Sequence, residues 1–551
     1  MLKFSPWTEV SPLGDLLIKS GHRHPQRVAL VFPEARCTFA ELLDGATGVA
    51  RGLLALGVRP GDHVGLLASN NIEFMHAFFG IALMGAVVVP LNVRHKATEL
   101  AYIIRNAELV VVLTQAEAGA HVDFAALLCD AVPGLAEAAA DAPLELPELP
   151  HLRHAVLLRG GLRPGFIGRA AFERAAAGVD AQRVREAGKL VALRDTATII
   201  YTSGTTANPK GCMLSHEALT RGPIERAQYR LAAGGNDVHW GAGPLFHIGS
   251  LGPALGALGA GFTYVTDLYY DAPRALALIR DERATTIWPW FPAIVLALLE
   301  QPGFDGKHLP DIRCIVLIAS SALVERVQAR FPDAEIIQGC GMTETAGIFG
   351  LSGPTDSAIE RSTTQGKVYP GMEVRLVDPQ TGNDARVGEA GEIWVRGYCV
   401  MKGYYKDPEK TAATLDAQGW LHTGDLYVRT KEDNLIFNGR LKDMLKVGGE
   451  NVAAVEIESY LSQHPAVRIA EVVGKPDPRL DEVPVAFIEL HDGAEITAQA
   501  LIDFCKGRIA NYKVPREVYF VAPGTWPMSL TKIDKRGLRQ RLAEINSGKT
   551  A

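Results

Sequence analysis

The segment from Tyr201 to Gly211 combines hydroxyl side chains, glycines and a lysine directly after an apolar run at 198–200. Glycines let backbone N–H groups approach phosphate oxygens, hydroxyls donate hydrogen bonds, and a lysine adds positive charge. The order differs from the common P-loop, because Pro209 precedes Lys210 and no Ser or Thr follows the lysine. The segment is predicted to hold nucleotide phosphates; an ordinary surface loop is the alternative, since these residue types also cluster there.

Composition narrows the class of protein. A chain of 551 residues exceeds what one core usually supports, so at least two domains are expected. A net charge of -6 gives no basic field for nucleic acid. The seven cysteines are scattered without a Cys-x-x-Cys pair, which argues against a disulfide framework or a zinc site and favours a reducing cytoplasm.

The elements that must position this chemistry follow an α/β pattern. Short β-branched runs at 64–68, 86–90 and 109–113 surround a predicted helix at 73–83, as in doubly wound parallel sheets. The uncharged stretch at 238–266 is rich in glycine, so buried strand, loop and helix are favoured over a membrane-spanning helix.

The pattern of polar and apolar residues changes in the later parts of the chain. After Gly371, alternating polar and apolar residues predict an antiparallel subdomain. From Leu441 a compact α+β unit follows, and the charged, glycine-containing turn at 438–443 is the predicted domain boundary.

Further segments suit the same nucleotide chemistry. Gly339–Glu344 offers a hydroxyl and a carboxylate, although a helix start is the alternative, and 420–425 reads Trp-Leu-His-Thr-Gly-Asp. Next comes Gly-Arg-Leu-Lys-Asp at 439–443, and a lysine stands at 532 near the C-terminus. In this order the segments resemble those of the adenylate-forming enzymes, which include acyl- and aryl-CoA synthetases, luciferases and peptide-synthetase adenylation domains. The resemblance covers essentially the whole chain.

The resemblance implies a fold and a division into domains. We expect an N-terminal domain at 1–439, made of doubly wound sheets and a β-rich subdomain, and a hinge at 440–443. A small mobile α+β domain at 444–551 would carry the catalytic lysine. A swing of this domain would exchange the lysine for the loop that faces coenzyme A.

The resemblance also implies catalytic roles. Lys532 would bind the carboxylate and the α-phosphate, although Lys535 leaves a second register open, and Thr531 stands where relatives have glycine. Thr343 would bind phosphate, and Glu344 would hold Mg²⁺ together with Thr206. His247 would gate the acyl pocket, whereas a lone histidine is otherwise a core residue.

Binding residues are implied by the same matches, with Ala207 and Cys340 as departures from the family pattern. Cys340 would weaken adenine binding or widen the acyl pocket. The ATP and AMP site is expected at Thr202, Ser203, Gly204, Thr205, Thr206, Lys210, Ser320, Ala322, Gly339, Cys340, Gly341, Met342, Asp425 and Arg440. The hinge is expected at Lys442, and the coenzyme A loop at Lys446, Gly448, Gly449 and Glu450. The acyl pocket is expected at Trp240, His247, Gly249, Pro253, Trp290, Phe291, Ala319 and Gly347.

The implied function is an ATP-dependent carboxylic acid–CoA ligase that uses ATP, Mg²⁺ and coenzyme A, with a homodimer as a possible assembly. Small residues at 319–322 and the aromatic residues Trp288, Trp290 and Phe291 favour a bulky hydrophobic acid: fatty, aromatic, or a polycyclic terpenoid or steroid-type acid. No charged residue is expected to mark a second polar group on that acid. Three alternatives remain open: a ligase that loads a carrier protein, a luciferase-like oxygenase, and a non-catalytic nucleotide sensor.

Overall fold

The computed structural model describes residues 10–118, 122–139, 142–202, 208–232, 234–447, 450–529 and 532–546. The strands are, in chain order, β1 (Val28–Phe32), β2 (Ala35–Thr38), β3 (His63–Leu67), β4 (Val87–Pro90), β5 (Val111–Gln115), β6 (Glu117–Ala118), β7 (Val122–Asp123), β8 (His154–Arg159), β9 (Thr196–Thr202), β10 (Lys210–Ser215), β11 (Val238–Gly241), β12 (Thr263–Val265), β13 (Thr286–Trp290), β14 (Cys314–Leu317), β15 (Glu335–Ile337), β16 (Gly339–Met342), β17 (Gly347–Leu351), β18 (Lys367–Val368), β19 (Met372–Val377), β20 (Ala390–Gly397), β21 (Gly403–Tyr404), β22 (Leu421–Arg429), β23 (Leu435–Arg440), β24 (Met444–Val447), β25 (Glu450–Ala453), β26 (Val467–Asp477), β27 (Asp481–Leu490), β28 (Glu517–Phe520), β29 (Met528–Ser529) and β30 (Lys532–Ile533).

Helices connect most of these strands. They are α1 (Leu13–Arg23), α2 (Phe39–Ala55), α3 (Ile72–Leu83), α4 (Ala97–Asn106), α5 (Phe124–Ala131), α6 (Arg169–Ala177), α7 (Ala181–Gly188), α8 (His216–Glu225), α9 (Ile248–Gly259), α10 (Ala272–Asp281), α11 (Pro292–Leu299), α12 (Ser321–Arg330), α13 (Ala358–Thr363), α14 (Pro408–Thr414), α15 (Ala454–Leu461), α16 (Ala498–Cys505) and α17 (Lys535–Asn546).

Two seven-stranded sheets form the larger part of the molecule. Their strand orders are β15-β14-β13-β11-β12-β1-β2 and β21-β10-β9-β4-β3-β5-β8. The strands within each sheet run parallel, apart from antiparallel pairs at one edge that involve β2 in the first sheet and β10 and β21 in the second. Central strands such as β4 are buried at every residue, because helices cover both faces of the sheet. The predicted doubly wound α/β class is confirmed.

A β-rich part and a separate C-terminal part complete the chain. Strands β19, β20, β22 and β23 form an antiparallel sheet in that order, and β16, β17 and β18 form a smaller one. The C-terminal sheet has the order β25-β24-β27-β26, with β28 beside β27. A single 3₁₀ turn, Leu441–Asp443, connects β23 to this last sheet. The C-terminal part therefore has its own sheet and its own hydrophobic cluster, which includes Val472 and Ile488.

The uncharged stretch at 238–266 forms β11, α9 and β12 with a loop between the first two. Helix α9 is buried at most of its residues, which explains why it needs no charged face. Every helix among the described residues falls short of the length and apolar character that crossing a membrane requires.

Candidate active site

The predicted phosphate segment begins where a strand ends and finishes where the next begins. Thr202 is the last residue of β9, and it pairs with Lys210, the first residue of the antiparallel strand β10. Ser203, Gly204, Thr205 and Thr206 lie outside the described residues. The ammonium of Lys210 lies 4.6 Å from the centre of the Tyr404 ring. Burial lowers the pKa of Lys210, and the carboxylate of Glu344 opposes that shift.

Glu344 lies in a tight turn close to Lys210. The 3₁₀ turn Thr343–Thr345 connects β16 to β17, and its three residues are buried. The phenol of Tyr404 donates a hydrogen bond of 2.8 Å to Oε1 of Glu344. Burial is the first cause that raises the pKa of Tyr404, and Glu344 is the second, so the phenol stays a donor. The turn thus holds a carboxylate beside the lysine that follows the phosphate segment.

Strand β16 consists of Gly339, Cys340, Gly341 and Met342. A Cβ on Gly341 would lie 2.1 Å from the carbonyl oxygen of Gly347, so only glycine fits at this position. The Cys340 thiol is buried and faces the carbonyl oxygen of Gly350 at 3.9 Å. Cys340 thus fills interior space between strands.

Asp425 and Arg440 face each other across two neighbouring strands. They are paired in the register of β22 and β23, and Arg440 Nε lies 2.9 Å from Asp425 Oδ1. Burial raises the pKa of Asp425, and the positive charges of Arg440 and Lys532 oppose this shift. A carboxylate held in this way can accept hydrogen bonds from hydroxyl groups.

Lys532, which belongs to the C-terminal part of the chain, lies near Asp425 and Arg440. It begins the short strand β30, which pairs with β29, and its Nζ lies 5.7 Å from the centre of the Phe291 ring. Burial lowers the pKa of Lys532, with the charge of Arg440 as a further cause and Asp425 opposing both. Lys532 is nevertheless exposed to solvent.

Lys535, the alternative lysine, lies elsewhere. Its ammonium is 2.5 Å from Glu458 Oε1 and 3.6 Å from Glu471 Oε2, both within the C-terminal part. These carboxylates raise its pKa, although burial opposes them. Of the two lysines, Lys532 is therefore the one beside Phe291 and Asp425.

His247 begins helix α9. Its Nδ1 accepts a hydrogen bond of 3.0 Å from the backbone N–H of Gly249, so the side chain caps the helix. Burial, with the charge of Lys532 as a second cause, lowers the pKa of His247 to about 4. The imidazole is therefore neutral near pH 7. Because Nδ1 accepts, the proton is assigned to Nε2.

Trp290 and Phe291 continue from the end of β13 toward the lysine. Trp290 has a φ of 62°, a left-handed conformation that is unusual for a bulky residue and is a form of strain that clusters at functional sites. A Cβ on Gly249 would lie 3.9 Å from Trp290 Nε1 and 3.0 Å from His247 Nδ1. Gly249 therefore leaves room between the tryptophan and the histidine.

The other predicted pocket and nucleotide residues lie nearby in sequence and fold. Pro253 is buried inside α9, and the backbone N–H of Ala319 donates to Gln338 at 3.1 Å. Ser320 and Ala322 stand at the start of α12. Gly347 has a φ of 96°, and a Cβ there would meet only Ile248 within 4 Å.

Trp240 requires a correction. The register of β11 and β13 pairs Trp240 with Ile287 and pairs Gly241 with Trp288. Paired residues point to the same face of a sheet and successive residues to opposite faces, so Trp240 lies on the face opposite to Trp288 and Trp290. It packs in the cluster that contains Ile287 and residues of α10, and it does not line the predicted pocket.

The predicted hinge and coenzyme A residues lie in and after the connecting turn. Lys442 belongs to the 3₁₀ turn Leu441–Asp443. Lys446 is exposed, and its backbone N–H donates to Glu482 of the C-terminal sheet at 2.9 Å. Gly448, Gly449 and the side chain of Glu450 lie outside the described residues.

Sequence reasoning missed Tyr404 and Arg226. Tyr404 contacts both Lys210 and Glu344, and the paired aromatic residues at 404–405 were the available signal. Arg226 is buried, and its guanidinium carbon lies 5.6 Å from the centre of the ring of Trp288, one of the aromatic residues from which a hydrophobic acid was expected. No signal in the sequence marked Arg226, because its burial in this helical segment depends on the tertiary structure.

No group of three or more His, Cys, Asp or Glu side chains within the described ranges could hold a metal ion by itself. Magnesium bound to a nucleotide commonly uses one or two carboxylates plus phosphate oxygens, so Glu344 alone fits that requirement.

Comparison with known proteins identifies the relatives of this arrangement. A family model described as AMP-binding enzyme matches residues 17–405, and a model of the AMP-binding enzyme C-terminal domain matches residues 456–528. The first match covers more than half of the chain.

Two curated relatives are similar over nearly their full length. The chain is 34% identical over 509 residues to the 3-[(3aS,4S,7aS)-7a-methyl-1,5-dioxo-octahydro-1H-inden-4-yl]propanoyl:CoA ligase of Mycobacterium tuberculosis, covering 90% of this chain and 92% of the relative. It is 31% identical over 537 residues to the mitochondrial medium-chain acyl-CoA ligase of Danio rerio, covering 94% and 86%.

A solved structure shares the fold. The anthranilate CoA ligase AuaEII in complex with anthranoyl-AMP has a TM-score of 0.83 and 28% identity, covering 98% of each chain. The chain therefore belongs to the AMP-binding, adenylate-forming enzymes and, within them, to the acyl-CoA synthetases.

Proposed function

We propose that this enzyme joins a bulky hydrophobic carboxylic acid to coenzyme A in two steps. In the first step a carboxylate oxygen attacks the α-phosphorus of ATP, which forms an acyl-adenylate and releases pyrophosphate. In the second step the thiol sulfur attacks the acyl carbon, the thiol loses its proton, and AMP leaves. The observation that carries the proposal is the position of Lys532, a C-terminal side chain, beside Phe291 and Asp425 of the N-terminal part.

Lys532 acts in the first step. Negative charge is shared there between the carboxylate and the α-phosphate, and a positioned ammonium stabilises it. Lys210 and Thr343 bind phosphate oxygens, and Asp425 accepts hydrogen bonds from the ribose with Arg440 holding it in place. Glu344 would hold Mg²⁺, which supplies charge neutralisation at the phosphates when it is bound.

The second step needs the space that Lys532 occupies. The C-terminal domain therefore turns about Lys442, which withdraws the lysine and brings the loop at 446–450 to the pocket. Neutral His247 suits this exchange, because an uncharged imidazole neither repels Lys532 nor traps the carboxylate.

A bulky hydrophobic acid fits the pocket residues. Trp290 and Phe291 supply aromatic surface, and Gly249 and Gly347 leave room beside it. The Mycobacterium relative is named for a bicyclic propanoyl substrate, and the Danio rerio relative for medium-chain acids, which supports the same size class.

Pyrophosphate release from ATP across a panel of fatty, aromatic and polycyclic acids, with and without coenzyme A, tests the proposal. We expect release with one class of acid and a CoA thioester by mass spectrometry when coenzyme A is present. An acyl-adenylate that never reacts with coenzyme A would instead favour transfer to a carrier protein. Absence of pyrophosphate with every acid would contradict the proposal.

A further inference from the structure

Arg226 is a buried positive charge without a counter-charge. It is 4% exposed and begins the π-helical segment Arg226–Leu231, which follows α8. Across the part of the chain that the structure describes, no carboxylate lies within ion-pair distance of its guanidinium. Burying an unpaired charge is costly, and π-helical segments occur often at functional sites. Such a residue calls for a partner that the folded chain does not itself supply.

Arg230, one turn later in the same segment, provides the contrast. Both of its terminal nitrogens donate to the carboxylate of Glu335, at 2.9 and 2.8 Å. Its charge is therefore satisfied inside the fold, as is usual for an arginine with little exposure. The two arginines differ in having a partner, although they share one helical segment.

The surroundings of Arg226 hold further unsatisfied polar groups. Its guanidinium carbon lies 5.6 Å from the centre of the Trp288 ring, and the Trp288 and Trp290 rings are 5.1 Å apart. The indole nitrogens of both tryptophans are buried without a hydrogen-bond partner among the described residues. Burial raises the pKa of Tyr369, and the nearby charge of Arg226 opposes the shift. Several donors therefore lack an acceptor in one place, whereas buried donors are normally satisfied.

These groups adjoin the glycine face of α9. Gly249, Gly252 and Gly256 recur at helical spacing on one side of this helix. A Cβ on Gly252 would meet only Arg226 Nη2, at 3.8 Å, whereas a Cβ on Gly256 would lie 2.5 Å from the carbonyl oxygen of Pro223. Along this face, the position of Gly252 therefore opens toward Arg226, whereas that of Gly256 is closed by the backbone at Pro223. Three residues, or about 4.5 Å along the helix axis, separate Gly249 from Gly252.

We propose that the acid substrate carries an oxygen acceptor, a ketone or a second carboxylate, at the end remote from its reacting carboxyl group. Arg226 binds this oxygen, and the indole N–H of Trp290 is placed to bind an oxygen nearer to His247. This inference rests on the proposed ligase function and makes its substrate class narrower. A purely hydrocarbon acid would bury Arg226 without an acceptor, which selects against that acid.

Three acids of equal chain length test the inference: octanoate, 7-oxooctanoate and octanedioate. We expect the wild-type enzyme to favour one of the two oxygenated acids in kcat/KM for pyrophosphate release by roughly 10- to 100-fold, the range of a hydrogen bond to a charged group. Arg226→Met should remove that preference, and Arg226→Lys should retain part of it. The comparison of 7-oxooctanoate with octanedioate shows whether the bound oxygen belongs to a ketone or to a second carboxylate.

Thermal unfolding gives a second readout, and Arg230→Met is the matched control. Arg226→Met should leave the Tm unchanged or raise it, because it removes an unpaired buried charge, whereas Arg230→Met should lower the Tm and leave the ranking of the acids intact. Pyrophosphate release that ignores the distal oxygen in wild type, or a lower Tm with equal loss on all three acids in Arg226→Met, would overturn the inference and leave the ligase function standing. Failure to release pyrophosphate with these acids and with the wider panel would overturn both.

Discussion

The two parts of the molecule contribute to the candidate site in different ways. The N-terminal part places its side chains at the ends of buried strands and helices, such as β9, β13 and α9, whose neighbours are packed on all sides. The C-terminal part contributes Lys532 from a two-residue strand. Among the described residues, an ion pair between the two parts joins Arg468 Nη2 to Glu300 Oε2 at 2.9 Å, and His491 Nδ1 lies 4.0 Å from the same carboxylate.

This difference supports the proposal that the C-terminal part is the half of the site that moves. A buried pocket wall cannot be displaced without loss of packing, whereas a partly exposed ion pair contributes at most about 1 kcal/mol. The Lys532 ammonium, which we propose is catalytic, thus reaches a rigid site through a contact that contributes little to stability. The following predictions test this contrast.

The largest effect is expected from Lys532→Ala. We predict a loss of about 100-fold or more in acid-dependent pyrophosphate formation, because a preorganised charge at the reacting oxygens disappears. Conversion of a supplied acyl-adenylate to the CoA thioester should remain close to wild type. Lys506→Ala, which removes an exposed lysine of the same domain, should leave both half-reactions unchanged. Equal loss of both half-reactions in Lys532→Ala would contradict the assignment.

A change of pH should affect the two half-reactions differently, but by less than Lys532→Ala does. The pKa of Lys532 is lowered by burial, so its positive charge is present below that pKa and is lost at a lower pH than for an ordinary lysine. Pyrophosphate formation should therefore fall by up to about tenfold per pH unit on the alkaline side, starting at a lower pH than the titration of an ordinary lysine would give. Lys532→Arg should move this decline to higher pH, since a guanidinium does not titrate there. An alkaline decline that is identical in Lys532→Arg would assign it to another group.

Breaking the ion pair between the two parts should have a smaller effect. Glu300→Gln removes the charge that faces Arg468, and we predict that adenylation slows by no more than about fivefold, equivalent to about 1 kcal/mol. The difference from wild type should shrink as salt concentration rises. Glu173→Gln breaks an exposed pair far in sequence from the C-terminal part and should have no effect on adenylation. A larger loss in thioester formation than in adenylation would contradict the proposed role of this pair.

The smallest effect on activity is expected from Trp240→Phe. Trp240 is buried on the α10 side of the sheet, so the substitution should cost about 1–3 kcal/mol in the free energy of unfolding and change kcat/KM by less than about twofold. Trp290→Phe, on the opposite face, should change the ranking of the acids. A change in the ranking of the acids in Trp240→Phe would instead show that Trp240 lines the acyl pocket.

Much of the fold followed from periodicity. The helix expected at 73–83 is observed as α3, Ile72–Leu83, and the strand expected at 86–90 is observed as β4, Val87–Pro90. In the C-terminal part, apolar spacing predicts helices at 454–464 and 498–510, but α15 stops at Leu461 and α16 at Cys505. Apolar spacing continues past the last hydrogen-bonded turn in both, so it does not mark the end of a helix.

The site was less accessible to sequence reasoning for two physical reasons. Strand β11 has both faces covered, so alternation could not assign Trp240 to one of them. Helix α8 is buried nearly all round, and the π-helical turn that follows changes the phase of the side chains, which concealed the inward direction of Arg226. The face on which Trp240 lies and the direction of the Arg226 side chain both depend on neighbours in the tertiary structure.

The most direct measurement uses a cross-link between the two parts. Glu300→Cys and Arg468→Cys, in a protein that also carries Cys129→Ser, can be joined by a short bis-maleimide, since the other six native thiols are buried. The account predicts that the cross-linked enzyme releases pyrophosphate and accumulates acyl-adenylate, but forms no CoA thioester until the two parts are freed. Thioester formation by the cross-linked enzyme at the rate of the same protein without the linker would contradict it.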